Sequence, residues 1–250
     1  MEQNISISDY LKKMHIYNGE KFYVNTNANK FPLLHDDFTP NHFWKLFLLQ
    51  YEIVNQKKFV ATETNKSFVF TLIYYFLRFE NFYKSTLLYN VDNCEVALDK
   101  GLLIVGSFGV GKTSIAKTIV SIIENLSLNH YSNPVRMHNS LQLVEEFESS
   151  PSECRNEIIT KYSKGFRIFD DVKNEREASN FGKVELFREI LYKRCENKNY
   201  RTILLSNYDS EHPNDMAQAI DSFGRYGDRV YGRLFESFNF IEFKGKSMRK

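Results

Sequence analysis

A chain of 250 residues, 42% of them aliphatic or aromatic, is long enough for one enzymatic domain with a modest extension and apolar enough for a real core. A formal net charge of +2 excludes the strongly basic footprint of a dedicated nucleic-acid binder, and five prolines with eleven glycines exclude long linkers and low-complexity tracts. Three cysteines without a CxxC pair and six histidines without ligand spacing argue against a zinc site and fit a reduced, cytoplasmic setting.

The chain opens with a polar and acidic stretch rather than a secretory leader, and turn signals at Asn18, Gly19 and 25–29 predict a loose lead-in over residues 1–38. Thr39, Pro40 and Asn41 predict a helix start, with a capping hydroxyl and a proline in the first turn. That helix carries Phe43, Trp44, Phe47, Leu48 and Tyr51 on its apolar side, so Trp44 is expected in the core. A second apolar stretch, 67–83, runs without Gly or Pro for longer than strands usually do and predicts a helix. Its most apolar run, 68–77, ends at Arg78 and is about half the ~20 residues of a bilayer span, so no membrane association is expected.

From Gly101 onward short apolar runs alternate with amphipathic helices, the pattern of a parallel α/β sheet. Strands are predicted over 102–105, 135–138, 166–169, 202–205 and 238–243, and helices over 112–125, 141–148, 184–196 and 228–236.

The string GSFGVGKT, from Gly106 through Ser107, Phe108, Gly109, Val110, Gly111 and Lys112 to Thr113, fits the phosphate-binding pattern G-x-x-x-x-G-K-[ST]. A strand precedes it and a helix follows, as the pattern requires. Glycines let successive backbone N–H groups turn inward on phosphate oxygens, and the helix N-terminus adds a favourable dipole. These eight residues, with Ser114 behind them, are the expected ATP-binding set; Lys112 would reach the outer phosphates and the Thr113 hydroxyl would ligate Mg²⁺.

Such a loop needs a carboxylate at the end of a neighbouring strand, and FRIFDD supplies two. Asp170 would hold the metal through its water shell, and Asp171 is the candidate general base, one methylene shorter than the Glu of many ATPases. The run TILLSN ends in Asn207, a candidate for orienting the attacking water. In GDRVYGRLFE, Arg229 and Arg233 are four apart on one helix face. An arginine offered to a neighbouring subunit's nucleotide is worth ~10³ to 10⁵ in rate where such an effect operates.

With these elements in this order, the sequence resembles the AAA+ helicase-loader and transposition-helper ATPases, the DnaC/IstB-like group. The resemblance covers about residues 98–250 and rests on GSFGVGKT, FDDVKNE followed by FGKVELFREILYKR, LLSN, and YGDRVYGRLFE ending in FKGKSMRK. It implies a P-loop NTPase of AAA+ type, with a five-stranded parallel sheet in the order 5-1-4-3-2 and ATP held between subunits of a homo-oligomeric ring or spiral. Arg233 is then the finger acting in trans, Arg229 a supporting arginine and Arg249 a nucleotide-sensing arginine. A replicative helicase or transposase-like protein and DNA are the implied partners. Residues 1–97 are expected to form a helical N-terminal extension that chooses the partner, and 98–250 the ATPase domain.

Two alternatives stay open on the residues alone. A monomeric P-loop small-molecule kinase would need a mobile arginine lid between the loop and Asp170, where the sequence has the acidic helix LQLVEEFE. A non-hydrolysing switch would use ATP only to order an assembly, with Asp171 in place of Glu making turnover negligible. A GTPase is disfavoured because the string at 197–200 lacks the acid of the guanine-reading Asn-Lys-x-Asp pattern.

Overall fold

The computed structural model describes residues 39–126, 135–175, 178–179 and 183–248. The lead-in expected over 1–38 and the sensing role expected of Arg249 lie outside the described residues.

The framework is a sheet of five strands: β1 (Gly101–Gly106), β2 (Arg136–Asn139), β3 (Arg167–Val172), β6 (Thr202–Ser206) and β7 (Phe238–Phe243), with β4 (Ala178–Ser179) and β5 (Lys183–Val184) forming a small antiparallel hairpin apart. All pairings in the main sheet are parallel, in the order β2-β3-β6-β1-β7. Counting only these five strands, that is the expected 5-1-4-3-2 read from the opposite edge.

Helices cover both faces, which is why β1 is apolar without alternation and buried at every residue. Leu102 and Ile104 point to one face, where they pack with α1 (Pro40–Asn55), α2 (Glu63–Phe76) and α3 (Lys112–Leu126). Leu103 and Val105 point to the other, against α4 (Ser140–Ser149), α5 (Arg155–Ser163), α6 (Leu186–Glu196), α7 (Met216–Asp221) and α8 (Asp228–Ser237). The free edge of β7 is covered by antiparallel bonds from residues 87–89: Tyr89 N–H donates to the Phe240 carbonyl and Glu242 N–H to that of Leu87, both at 2.9 Å.

The helix at Thr39 starts as expected. Its hydroxyl accepts from His42 N–H while His42 Nδ1 accepts from Thr39 N–H, a reciprocal cap, with Pro40 in the first turn. Trp44 is half-buried rather than central; it stacks on Phe47 and Phe70 at the rim of the core. The second apolar stretch differs from the helix expected over 67–83. A Thr62–Asn65 capping box starts α2 at Glu63, and the left-handed turn at Arg78 (φ 58°) ends it, so the chain resumes as a 3-10 turn over Glu80–Lys84. Polar cap residues ahead of an apolar run carry no hydrophobic signal, which is why the start lies earlier than periodicity suggests. Likewise α6 starts at Leu186 rather than 184, because Val184 belongs to the hairpin.

The α1–α2 pair is built into the body that carries the P-loop. Phe68 stacks on Phe243 at the end of β7, with ring centroids 4.0 Å apart and planes 11° from parallel, both rings buried.

Candidate functional site

The turn after β1 lies at the C-terminal edge of a parallel sheet, where open α/β folds gather ligands. Gly109 (φ 78°) and Gly111 (φ 98°) take left-handed conformations that a side chain would strain. They bring the chain sharply into α3, whose first N–H groups lack intrahelical partners and face the turn with the positive end of the helix dipole. Lys112 folds back over the loop. Its ammonium donates to the Gly106 carbonyl at 2.6 Å, the Ser107 carbonyl at 3.0 Å and Asn207 Oδ1 at 2.8 Å, and the side chain is buried.

The two aspartates sit where β3 changes register. Phe169 pairs with Leu204 but Val172 with Ser206, so β3 carries one extra residue and bulges at Asp170 and Asp171. Asp171 accommodates the bulge with a left-handed φ of 55°, a conformation that Asp and Asn tolerate far better than Glu. The shorter acid, expected to be a departure, thus suits the backbone it occupies. Asp170 is buried and accepts from the Thr113 hydroxyl at 3.1 Å. Burial first, then the neighbouring Asp171 charge, holds its carboxyl above the usual range, so a cation brought here would relieve both. Asp171 lies closer to the opening, where Asn139 Nδ2 donates to its Oδ2 at 3.3 Å.

Asn207 follows β6 as the sequence order requires, and its buried Nδ2 has no partner among the described residues. Lys112, Thr113, Ser114, Asp171 and Asn207 therefore line one cavity, with Asp170 directly behind Thr113. Among the described residues no cluster of three His, Cys, Asp or Glu could hold a metal by itself. All three cysteines are free.

The arginines of α8 do not line this cavity. Arg229 is exposed; Arg233 is half-buried, with its guanidinium 5.4 Å from the Tyr192 ring and 3.5 Å from a Glu196 carboxylate oxygen.

Three lining groups were missed by the sequence reading. Tyr51 reaches the cavity from α1, Lys57 follows the same helix, and Met248 comes from the C-terminal tail, whose backbone N–H donates to the Gly109 carbonyl at 2.7 Å. No motif marks any of them; Tyr51 is visible in sequence only as one more apolar-face residue.

The structure is similar to the DnaC helicase loader, with 18% sequence identity, a TM-score of 0.50, and coverage of 78% of this chain and 99% of that one. The fold is that of the AAA+ P-loop proteins. Domain III of the Thermotoga maritima replication initiation protein DnaA is also similar (18% identity, TM-score 0.42, 74% of this chain and 64% of that one). So is AMPPCP-bound DnaA from Aquifex aeolicus (19% identity, TM-score 0.41, 76% and 50%). No protein-family model and no curated protein matches the sequence. No helix among the described residues is long and apolar enough to cross a membrane.

Proposed function

We propose that the chain is an ATP-binding AAA+ ATPase of the cytoplasm that self-assembles, completes each site with an arginine from a neighbouring copy, and acts as a DnaC-like helicase loader or IstB-like helper on a DNA-associated partner. The observation that carries the reading is the meeting of Lys112, Thr113 and Asn207 with the Asp170–Asp171 pair at one edge of the sheet.

The residues fit MgATP. A triphosphate supplies the acceptor that the buried Asn207 amide lacks, and the N–H groups of the loop and the first turn of α3 suit its oxygens. Lys112, now turned onto loop carbonyls, would exchange those bonds for phosphate oxygens. Thr113 would ligate Mg²⁺ directly and Asp170 through its water shell, and the bound ion neutralises charge between the outer phosphates. Asp171 would accept a proton from a water held by Asn207. Arg233 and Arg229, off their own cavity, are free to serve a neighbour's; Arg233 must first leave Glu196. Arg249 is the proposed sensing arginine, and residues 1–97 the part that selects the partner.

The experiment is ATP binding and turnover with particle mass measured by light scattering, with and without single-stranded DNA. Lys112→Ala is expected to abolish binding. Arg233→Ala is expected to bind ATP yet lose turnover, with activity partly restored by mixing the two variants. Full-rate hydrolysis by a monomer at high dilution would eliminate the shared-site mechanism. Phosphate transfer to a nucleoside or sugar acceptor would favour a kinase instead.

A further inference from the structure

The cavity holds a second buried polar atom without a partner, and it comes from outside the P-loop motif. Tyr51 is fully buried and lines the cavity, and its hydroxyl lies beside the Ser114 side chain without making a full hydrogen bond to it or to any other group among the described residues. The ring is packed against two others. Phe59 packs edge-on at 4.9 Å and Phe47 sits at 5.6 Å. The helix that bears it is tied to the P-loop helix on either side: Gln50 Nε2 donates to Ser121 Oγ at 2.8 Å, and Asn55 Nδ2 to Thr118 Oγ1 at 3.1 Å. Ser114, Thr118 and Ser121 follow one face of α3, so α1 is laced along it with Tyr51 set against the first turn.

Leaving a buried hydroxyl unsatisfied is unfavourable, and proteins rarely do so without a ligand or water to complete it. Asn207, which accepts from the Lys112 ammonium, presents an unmet donor to the cavity, and Tyr51 presents another beside Ser114. A ligand that satisfies both must carry hydrogen-bond acceptors along its length and negative charge at the lysine, as a polyphosphate chain does.

We propose that Tyr51 is a nucleotide-positioning residue, donating its hydroxyl proton to an inner phosphate oxygen of the bound triphosphate beside Ser114, so that α1 forms one wall of the phosphate site. This rests on the phosphate-site reading above. It makes α1 the element through which occupancy of the loop is felt in the N-terminal layer, because α1 contacts both.

The test compares the whole chain with Tyr51→Phe and, as a separate control, Lys112→Ala, measuring the dissociation constants of MgATP and magnesium tripolyphosphate by calorimetry and the ligand-free melting temperature. Tyr51→Phe keeps the ring and its packing. It is expected to weaken both ligands about tenfold, the loss of one hydrogen bond to a charged group, while leaving the ligand-free melting temperature equal or higher. Unchanged affinity overturns the proposal. A fall in ligand-free melting temperature also overturns it, since the hydroxyl would then be satisfied within the protein. Weakened ATP with unaffected tripolyphosphate moves the contact to the sugar and overturns the phosphate assignment. If Lys112→Ala keeps tight binding, the phosphate site itself is wrong, an outcome independent of Tyr51.

Discussion

Replacing Phe68 with alanine removes a ring that is fully buried and stacked 4.0 Å from Phe243, on the last strand of the sheet that carries the P-loop. Phe→Ala in a packed core costs roughly 3–5 kcal/mol, made up of lost transfer free energy and the cavity left behind. For a body of this size each kcal/mol lowers the melting temperature by about 2–4 °C, so Phe68→Ala is expected to melt about 6–20 °C below the parent chain. Trp44 is the only tryptophan and sits in the α1–α2 layer, so its fluorescence reports that layer, while far-UV circular dichroism reports every helix. Both signals are expected to shift together in one transition. A fluorescence transition that moves while the dichroism transition stays put would refute the argument, because the helical layer would then fold separately from the sheet.

Asp170→Asn tests the buried acid pair. The folded protein holds the Asp170 proton more tightly than the unfolded chain, so stability is lost as pH rises through its titration. The variant is expected to melt higher than the parent near neutral pH without ligand, with the gap closing as the medium is acidified, and to gain less from magnesium and ATP; a ligand-free loss of stability at neutral pH would contradict this. Asp171→Asn keeps a residue suited to the left-handed bulge but removes the proposed base, so ATP binding should persist while turnover falls by about 10²–10⁴. Asp171→Glu restores the longer acid at the expense of a strained backbone, about 1 kcal/mol of stability, and should therefore not accelerate turnover. A faster, equally stable Glu variant would show that the bulge does not choose the acid.

The P-loop was legible because its chemistry depends on contiguous residues in a fixed pattern, and the strands around it because both faces of a parallel sheet are covered. The strand order is different in kind: nothing in local periodicity distinguishes 5-1-4-3-2 from other arrangements, and it came from the resemblance. The acids Asp170 and Asp171 could be named from FRIFDD, yet the bulge that turns them could not, since φ at Asp171 follows from pairing with β6. The helix at Arg155–Ser163 escaped notice because RNEIITKYS is short and mostly polar, with its buried face limited to Ile158, Ile159, Tyr162 and Ser163. Tyr51 illustrates the remaining gap. Its position on an apolar face was readable, but its unmet hydroxyl depends on the packing of α1 on α3, a contact between segments far apart in sequence. The arginines of α8 cannot be assigned roles within one copy, because their proposed target belongs to another.

The strand that leads into the glycine turn has a further consequence. Gly101 to Gly106 is bonded to β7 along its whole length and to β6 along most of it, under helices on both sides. Amides there should exchange with deuterated solvent only when the whole molecule opens, whereas those of the glycine turn that follows have no such shelter. Slow and fast exchange would then meet within a few residues, so a ligand seated on the turn can be timed against a fixed internal clock in the strand just before it.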